Sequence, residues 1–184
     1  DNKILVYMYE EWFEKLAQKY RVSEVARGLK PSTKTDIGFL PKYFNPSQIK
    51  VLAMDMDSTI INIECIDEIA DAVGKKDAVS EITEAAMRGE IKDLSESLIR
   101  RVALLKGAPA STLEQVFNER LRLNDGAKEL ISKAHNKGIY TLLVSGGFTF
   151  FTQKLQKELG LSETHANNLE IIDGTLTGKV IGNI

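Results

Sequence analysis

Val51-Leu-Ala-Met-Asp55-Met-Asp57-Ser58-Thr59 is the stretch from which the rest of the chain is read. Four apolar residues run into two aspartates separated by one methionine, and two hydroxyls follow. An apolar run this short predicts a strand buried on both faces, the usual state in a parallel sheet. Such strands place ligands just beyond their carboxyl ends. Asp55 and Asp57 stand where the strand should end, and in extended backbone residues two apart point to the same side. Paired carboxylates there suit a hard cation such as Mg²⁺. One can attack phosphorus while the other moves a proton. A plainer reading is a capped turn, with Asp and Ser satisfying nearby amides. The short motif alone leaves both open.

A second anchor lies downstream. Ile139-Tyr-Thr-Leu-Leu-Val144 reads as another buried strand, followed at once by Ser145-Gly146-Gly147 and a helix from Phe148 to Leu159. Strand, small residues, helix is the doubly wound unit. A hydroxyl and outward amides at a helix start suit an anion, and glycine lets a phosphate approach the backbone. A simple strand–helix turn has the same sequence. Paired with Asp55-X-Asp57 on a different strand, the phosphate reading gains weight.

Between the anchors the pattern is helical. Asn62 is placed to cap a helix closing at Gly74, with Ile66, Ile69, Ala70 and Val73 as its buried stripe. A second helix spans 77–88, with Val79, Ile82, Ala85 and Ala86 inside. Asp93 with Glu96 forms a capping-box pattern for a third, whose stripe is Leu94, Leu98, Val102 and Leu105. Ser111 with Glu114 forms another for a fourth, containing Leu113, Val116 and Phe117. Four short helices between two strand signals predict a helical insert. Asp125-Gly126 opens a further helix ended by Gly138, and 169–180 alternates around Asp173-Gly174 as a hairpin.

Apolar strand, Asp-X-Asp-Ser-Thr, then Ile60-Ile61 and Glu64-Cys-Ile-Asp-Glu-Ile-Ala resembles motif I of the haloacid dehalogenase-like phosphatases, most closely the phosphoserine phosphatases. The resemblance covers roughly 50–184. It implies an α/β fold: a doubly wound, Rossmann-like parallel sheet, incomplete at its C-terminus, with a four-helix cap inserted after the first catalytic strand. The core would be 49–63 and 125–184, and the cap 64–124. It also implies the roles. Asp55 becomes the nucleophile and Asp57 the proton donor and acceptor. Asp55 and the Asp57 backbone carbonyl hold Mg²⁺. Ser145 and the Gly146 amide bind phosphate. Glu64 meets a substrate ammonium and Arg101 a substrate carboxylate, while Met87 lines the pocket. Read without the resemblance, Glu64 complements a helix N-terminus and Arg101 is a solvated charge. Asn167-Asn168, Asp173-Gly174 and Leu176-Thr177-Gly178 also resemble the family and read as structural.

The implied substrate is the small phosphomonoester O-phosphoserine, and the implied pathway serine biosynthesis. A related phosphotransferase and an inactive phosphate-binding module are the alternatives. His135, His165 and the lone Cys65 make no metal spacing and no catalytic dyad.

The remaining bounds are broad. The 184 residues carry a net charge of −2 and a sequence pI near 5.8, which points away from nucleic acid and anionic membrane. One cysteine excludes an intrachain disulfide, and no apolar run approaches the roughly 20 residues of a membrane span. Cytoplasm is the expected location. Residues 1–48 read as a strand over 3–8, a helix over 10–29 and a linker over 30–48. The whole segment is expected to be a remnant of a regulatory domain or a homodimer contact. The chain begins at Asp1 and stops in mid-pattern at Gly182-Asn-Ile184, which predicts a fragment, a processed chain or an unfinished reading frame. Two further motifs, a lysine and a Gly-Asp-Gly-X-Asn-Asp segment, are implied beyond that point, so weak activity is expected of the 184 residues alone.

Overall fold

The computed structural model describes residues 45–182. The strand predicted over 3–8, the helix over 10–29, most of the linker and the dimer contact lie outside the described residues. A boundary between compact units falls after Ile49. Before it comes a short 3₁₀ turn, Pro46–Gln48.

From Lys50 onward the chain is α/β. Strand β1 is Val51–Met54. A helical insert follows: α1 (Cys65–Ala72), α2 (Lys76–Met87), α3 (Leu94–Ala103), α4 (Ser111–Gln115) and a π-helical turn, Val116–Arg120. Then come α5 (Ala127–Asn136), β2 (Tyr140–Phe148), α6 (Thr149–Leu159), β3 (Glu163–Ile172) and β4 (Thr175–Ile181). The sheet order is β1-β2-β3-β4. The first two pairings are parallel and β3 pairs antiparallel with β4 across Asp173-Gly174.

Parallel register aligns Val51 with Tyr140 and Met54 with Leu143, so alternate residues of both strands share a face. Met54 and Leu143 are buried on one face. The other is open: Val51 is 53% exposed and Val144 48%. The expected burial on both faces is therefore corrected to burial on one. Composition signals an apolar strand but does not say which layers cover it.

Sheet and insert share one hydrophobic cluster. It runs from Met54, Leu143, Phe148 and Phe151 to Ile69, Leu105 and Leu113 in the insert. The two connectors of the insert are clasped together. Asn62 N–H donates to Arg122 O at 3.0 Å and Asn124 N–H to Ile60 O at 2.9 Å. Asn124 Nδ2 adds bonds to Thr59 O and Ile61 O. An insert leaves a scaffold intact only if its two ends lie close, and these bonds hold them so.

Several local expectations change. Asn62 does not cap α1: its Oδ1 accepts from Arg122 N–H, and Glu64 occupies the cap position without a capping side-chain bond. Asp93 does cap α3, accepting from Ser95 N–H at 2.9 Å. Glu96, however, pairs with Arg100 rather than completing the box. Ser111 is the first residue inside α4, after Ala110. A tertiary partner displaces the Asn62 motif, an i,i+4 partner on the same helix takes Glu96, and a one-residue shift moves Ser111 inside its helix. β3 begins at Glu163, well before the hairpin alternation, and takes in His165. Glu163-Thr-His-Ala-Asn-Asn lacks apolar alternation, so only its pairing with β2 marks it as a strand.

Arg120 ties the end of the insert to its start. Its Nη1 donates to Glu68 at 2.7 Å and Asp71 at 2.6 Å. The Arg120 hydrogen bond, helped by Lys76, holds the Asp71 carboxyl below its ordinary pKa. A lowered folded-state pKa stabilises above the unfolded value and is lost as pH falls through the folded one. Asp71→Asn should therefore lower the melting temperature at neutral pH and flatten its decline below about pH 4, as read by thermal melts across pH. Equal acid dependence in both proteins would remove Asp71 from this role.

Candidate active site

The chain beyond β1 makes an unusually tight wrap. Thr59, Ile60 and Ile61 all donate backbone N–H groups to the Met56 carbonyl, at 3.2, 2.9 and 3.1 Å. Met56 itself is fully buried, which turns Asp55 and Asp57 on either side of it towards the same cavity. That cavity, of about 500 Å³, is also lined by Glu64, Arg101, Ser145 and Gly146. It thus brings together six of the seven residues singled out in the sequence.

The seventh, Met87, is not in the lining. It ends α2 beside the 88–93 connection and is 84% exposed. Leu94, expected in a buried stripe, is 85% exposed and borders the cavity instead. Met87 is placed by the resemblance and Leu94 by helical spacing, and neither signal names the neighbour a side chain will meet.

The strand ends are joined directly. Ser145 Oγ donates to Asp57 Oδ2 at 2.9 Å and accepts from Gly147 N–H at 2.8 Å. The other Asp57 oxygen accepts from Cys65 N–H at 2.8 Å, at the start of α1. Strand β2 continues through Ser145-Gly146-Gly147, but its pairing with β3 breaks between Val144 and Phe148. That irregularity frees the corner from the ladder. Gly147 is required there: a Cβ would lie 2.7 Å from Asp57 Oδ2 and 3.0 Å from the Met56 methyl.

Asp55 Oδ1 accepts from the Met56 amide at 2.8 Å, and Oδ2 has no hydrogen-bond partner among the described residues. The donors here are all oxygen, which suits Mg²⁺. That ion commonly takes one or two carboxylates and fills the rest of its shell with water and phosphate. Among the described residues no group of three or more His, Cys, Asp or Glu forms a metal site.

Helix α6 leaves the corner with no acidic residue in its first turn and no side-chain cap. Its positive end is therefore available to an anion. Burial, reinforced by the charge of Asp57, pushes the Cys65 thiol up, so it stays protonated and unreactive. Asp67 carries a buried Oδ1 without a hydrogen-bond partner among the described residues; burial raises its carboxyl while the Arg101 charge opposes that rise.

Sequence reading missed one contributor. Asn167, read as structural, lines the cavity and donates from Nδ2 to Gly146 O at 2.9 Å. With Gly147 N–H on Ser145 Oγ, both ends of the Gly146–Gly147 peptide are held. Its position on β3 beside the corner is set by strand pairing, which no local signal announces.

A family model for haloacid dehalogenase-like hydrolases matches residues 52–184. The chain belongs to the haloacid dehalogenase-like hydrolases. It is similar to the phosphoserine phosphatase of Polaromonas sp., 56% identical over 135 residues, covering 73% of this chain and 57% of the relative. The phosphoserine phosphatase of Haemophilus influenzae is 44% identical over 183 residues, all of this chain and 54% of that one. Among solved structures, a phospho-aspartyl intermediate analogue of phosphoserine phosphatase matches with a TM-score of 0.67 at 40% identity, over 73% of this chain and 63% of its own. The chain thus spans little more than half the length of the two relatives.

Gly147→Ala is expected to displace Asp57 and cost about 1–3 kcal/mol, the usual penalty of overpacking. Thermal melting and a crystal structure would check this. An unchanged melt with Asp57 in place would contradict the close approach.

Proposed function

We propose that this chain carries the main part of a site that hydrolyses O-phosphoserine to serine and phosphate. The observation supporting it most directly is the Ser145–Asp57 hydrogen bond, which closes two strand ends around one cavity. The likeness to phosphoserine phosphatases supports the substrate.

In this reading Asp55 Oδ2 attacks phosphorus in line, the bond to the serine oxygen breaks, and an aspartyl-phosphate forms. Asp57 gives its proton to the leaving alkoxide. It then takes one from the water that cleaves the intermediate, releasing phosphate and restoring Asp55. Ser145, the Gly146 amide and the open end of α6 receive the phosphoryl oxygens. Positioning and charge stabilisation supply most of the catalysis in such transfers. Mg²⁺ held by Asp55 and the Asp57 carbonyl would neutralise phosphoryl charge. Glu64 and Arg101 offer one negative and one positive group to the amino and carboxylate ends of an amino acid. The guanidinium fork matches a carboxylate in two-point contact.

Phosphate release from O-phosphoserine with Mg²⁺ tests this, in the chain and in a version extended to its relatives' length. Asp55→Asn should cut the rate by on the order of 10³-fold or more, and chelation should abolish it. Brisk turnover of another phosphomonoester with none of O-phosphoserine would reject the substrate. Arg101→Ala should raise KM roughly 10- to 100-fold with a smaller effect on kcat, the loss of one charged hydrogen-bonded contact.

A further inference from the structure

Ser58 stands out on two independent grounds. Its φ is +52°, in the left-handed region that L-residues other than glycine, asparagine and aspartate rarely occupy. Among the described residues the only other non-glycine with positive φ is Asp173, in the β3–β4 hairpin turn. Glycine would adopt the Ser58 conformation with no steric cost. The hydroxyl that serine adds is engaged: Ser58 Oγ donates to Glu64 Oε1 at 2.6 Å. The backbone prepares this contact. Ser58 N–H donates to Ile63 O at 3.1 Å, closing the loop and setting Glu64 opposite Ser58. Glu64 makes no other side-chain hydrogen bond among the described residues, and it lines the cavity.

We propose that Ser58 is a positioning residue for substrate choice: its hydroxyl holds the Glu64 carboxylate in the orientation that receives a ligand ammonium. This rests on the reading of Glu64 as the ammonium partner. The left-handed backbone turns Ser58 towards Glu64. Oε1 takes the hydroxyl and Oε2 remains for the cation. A long carboxylate at a helix start otherwise samples several rotamers, and fixing one before the ligand arrives lowers the cost of binding. The hydroxyl makes no hydrogen bond to Asp55, Asp57 or Ser145, and Ser58 is not among the residues lining the cavity, so it acts on the orientation of Glu64 and leaves the phosphate corner alone.

The test is calorimetric titration of the parent chain, Ser58→Ala and Ser58→Gly with O-phosphoserine and with the same phosphoester lacking its amine, after thermal melts confirm that each variant folds. Ala keeps the backbone demand and drops the hydroxyl; Gly drops both. The parent should prefer the amine-bearing ligand, and both variants should lose about tenfold of that preference while binding the amine-free ligand as the parent does. Ser58→Gly should melt above Ser58→Ala. A parent preference retained in both variants overturns the role of Ser58 alone. Loss in one variant only assigns the effect to the backbone and also overturns it. Equal binding of both ligands by the parent overturns the ammonium reading of Glu64 together with the role of Ser58.

Discussion

One hydrogen bond organises the described part of this molecule: the Ser145 hydroxyl on the Asp57 carboxylate. It links the turn after β1 to the Ser145-Gly146-Gly147 corner of β2, at which a Cβ on Gly147 would come within 2.7 Å of Asp57 Oδ2. The carboxylate is also held by the Cys65 amide at the entrance of the helical insert. The turn after β1, the start of α1 and the corner of β2 are thereby fixed on one side chain. With each Asp57 oxygen accepting one hydrogen bond, the side chain is fixed at two points and its orientation sets the geometry of the junction.

Around that junction the chain solves a topological problem. A large insert must leave the sheet just after Asp57 and return without pulling the strands apart. The wrap on the Met56 carbonyl and the Asn62–Arg122–Asn124 clasp hold its exit and re-entry side by side. Arg120 then reaches back to Glu68 and Asp71, and the shared core continues from Phe148 to Leu113. The insert therefore presents Glu64 and Arg101 to the strand ends from a supported frame.

Legibility differed by the range of the interaction involved. Asp55, Asp57 and the Ser145-Gly146-Gly147 corner could be found because each sits at the end of a short apolar run. Met87, placed by the resemblance, and Leu94, placed by helical spacing, misled because neither signal states what faces a side chain; both are mostly exposed. Asn62 and Ser111 misled because their local capping signals compete with Arg122 and with a one-residue shift of the helix start. Asn167 was passed over as structural because its hydrogen bond to Gly146 crosses between strands. The open face bearing Val51 and Val144 follows the same logic, since a strand's composition does not name its covering layers.

By itself the sequence determined the alternation of strand and helix, the two strand-end motifs and the insert between them. Those depend on periodicity and on residues a few places apart, which are written directly into the order of side chains. Only the tertiary structure decided that Asp57 and Ser145 touch, that Gly147 must stay bare, that Ser58 adopts a left-handed turn under Glu64, and that Asn167 grips the glycine corner. Each of these is a contact set by strand register and loop closure, and register depends on the packing of the whole sheet rather than on any single stretch of chain.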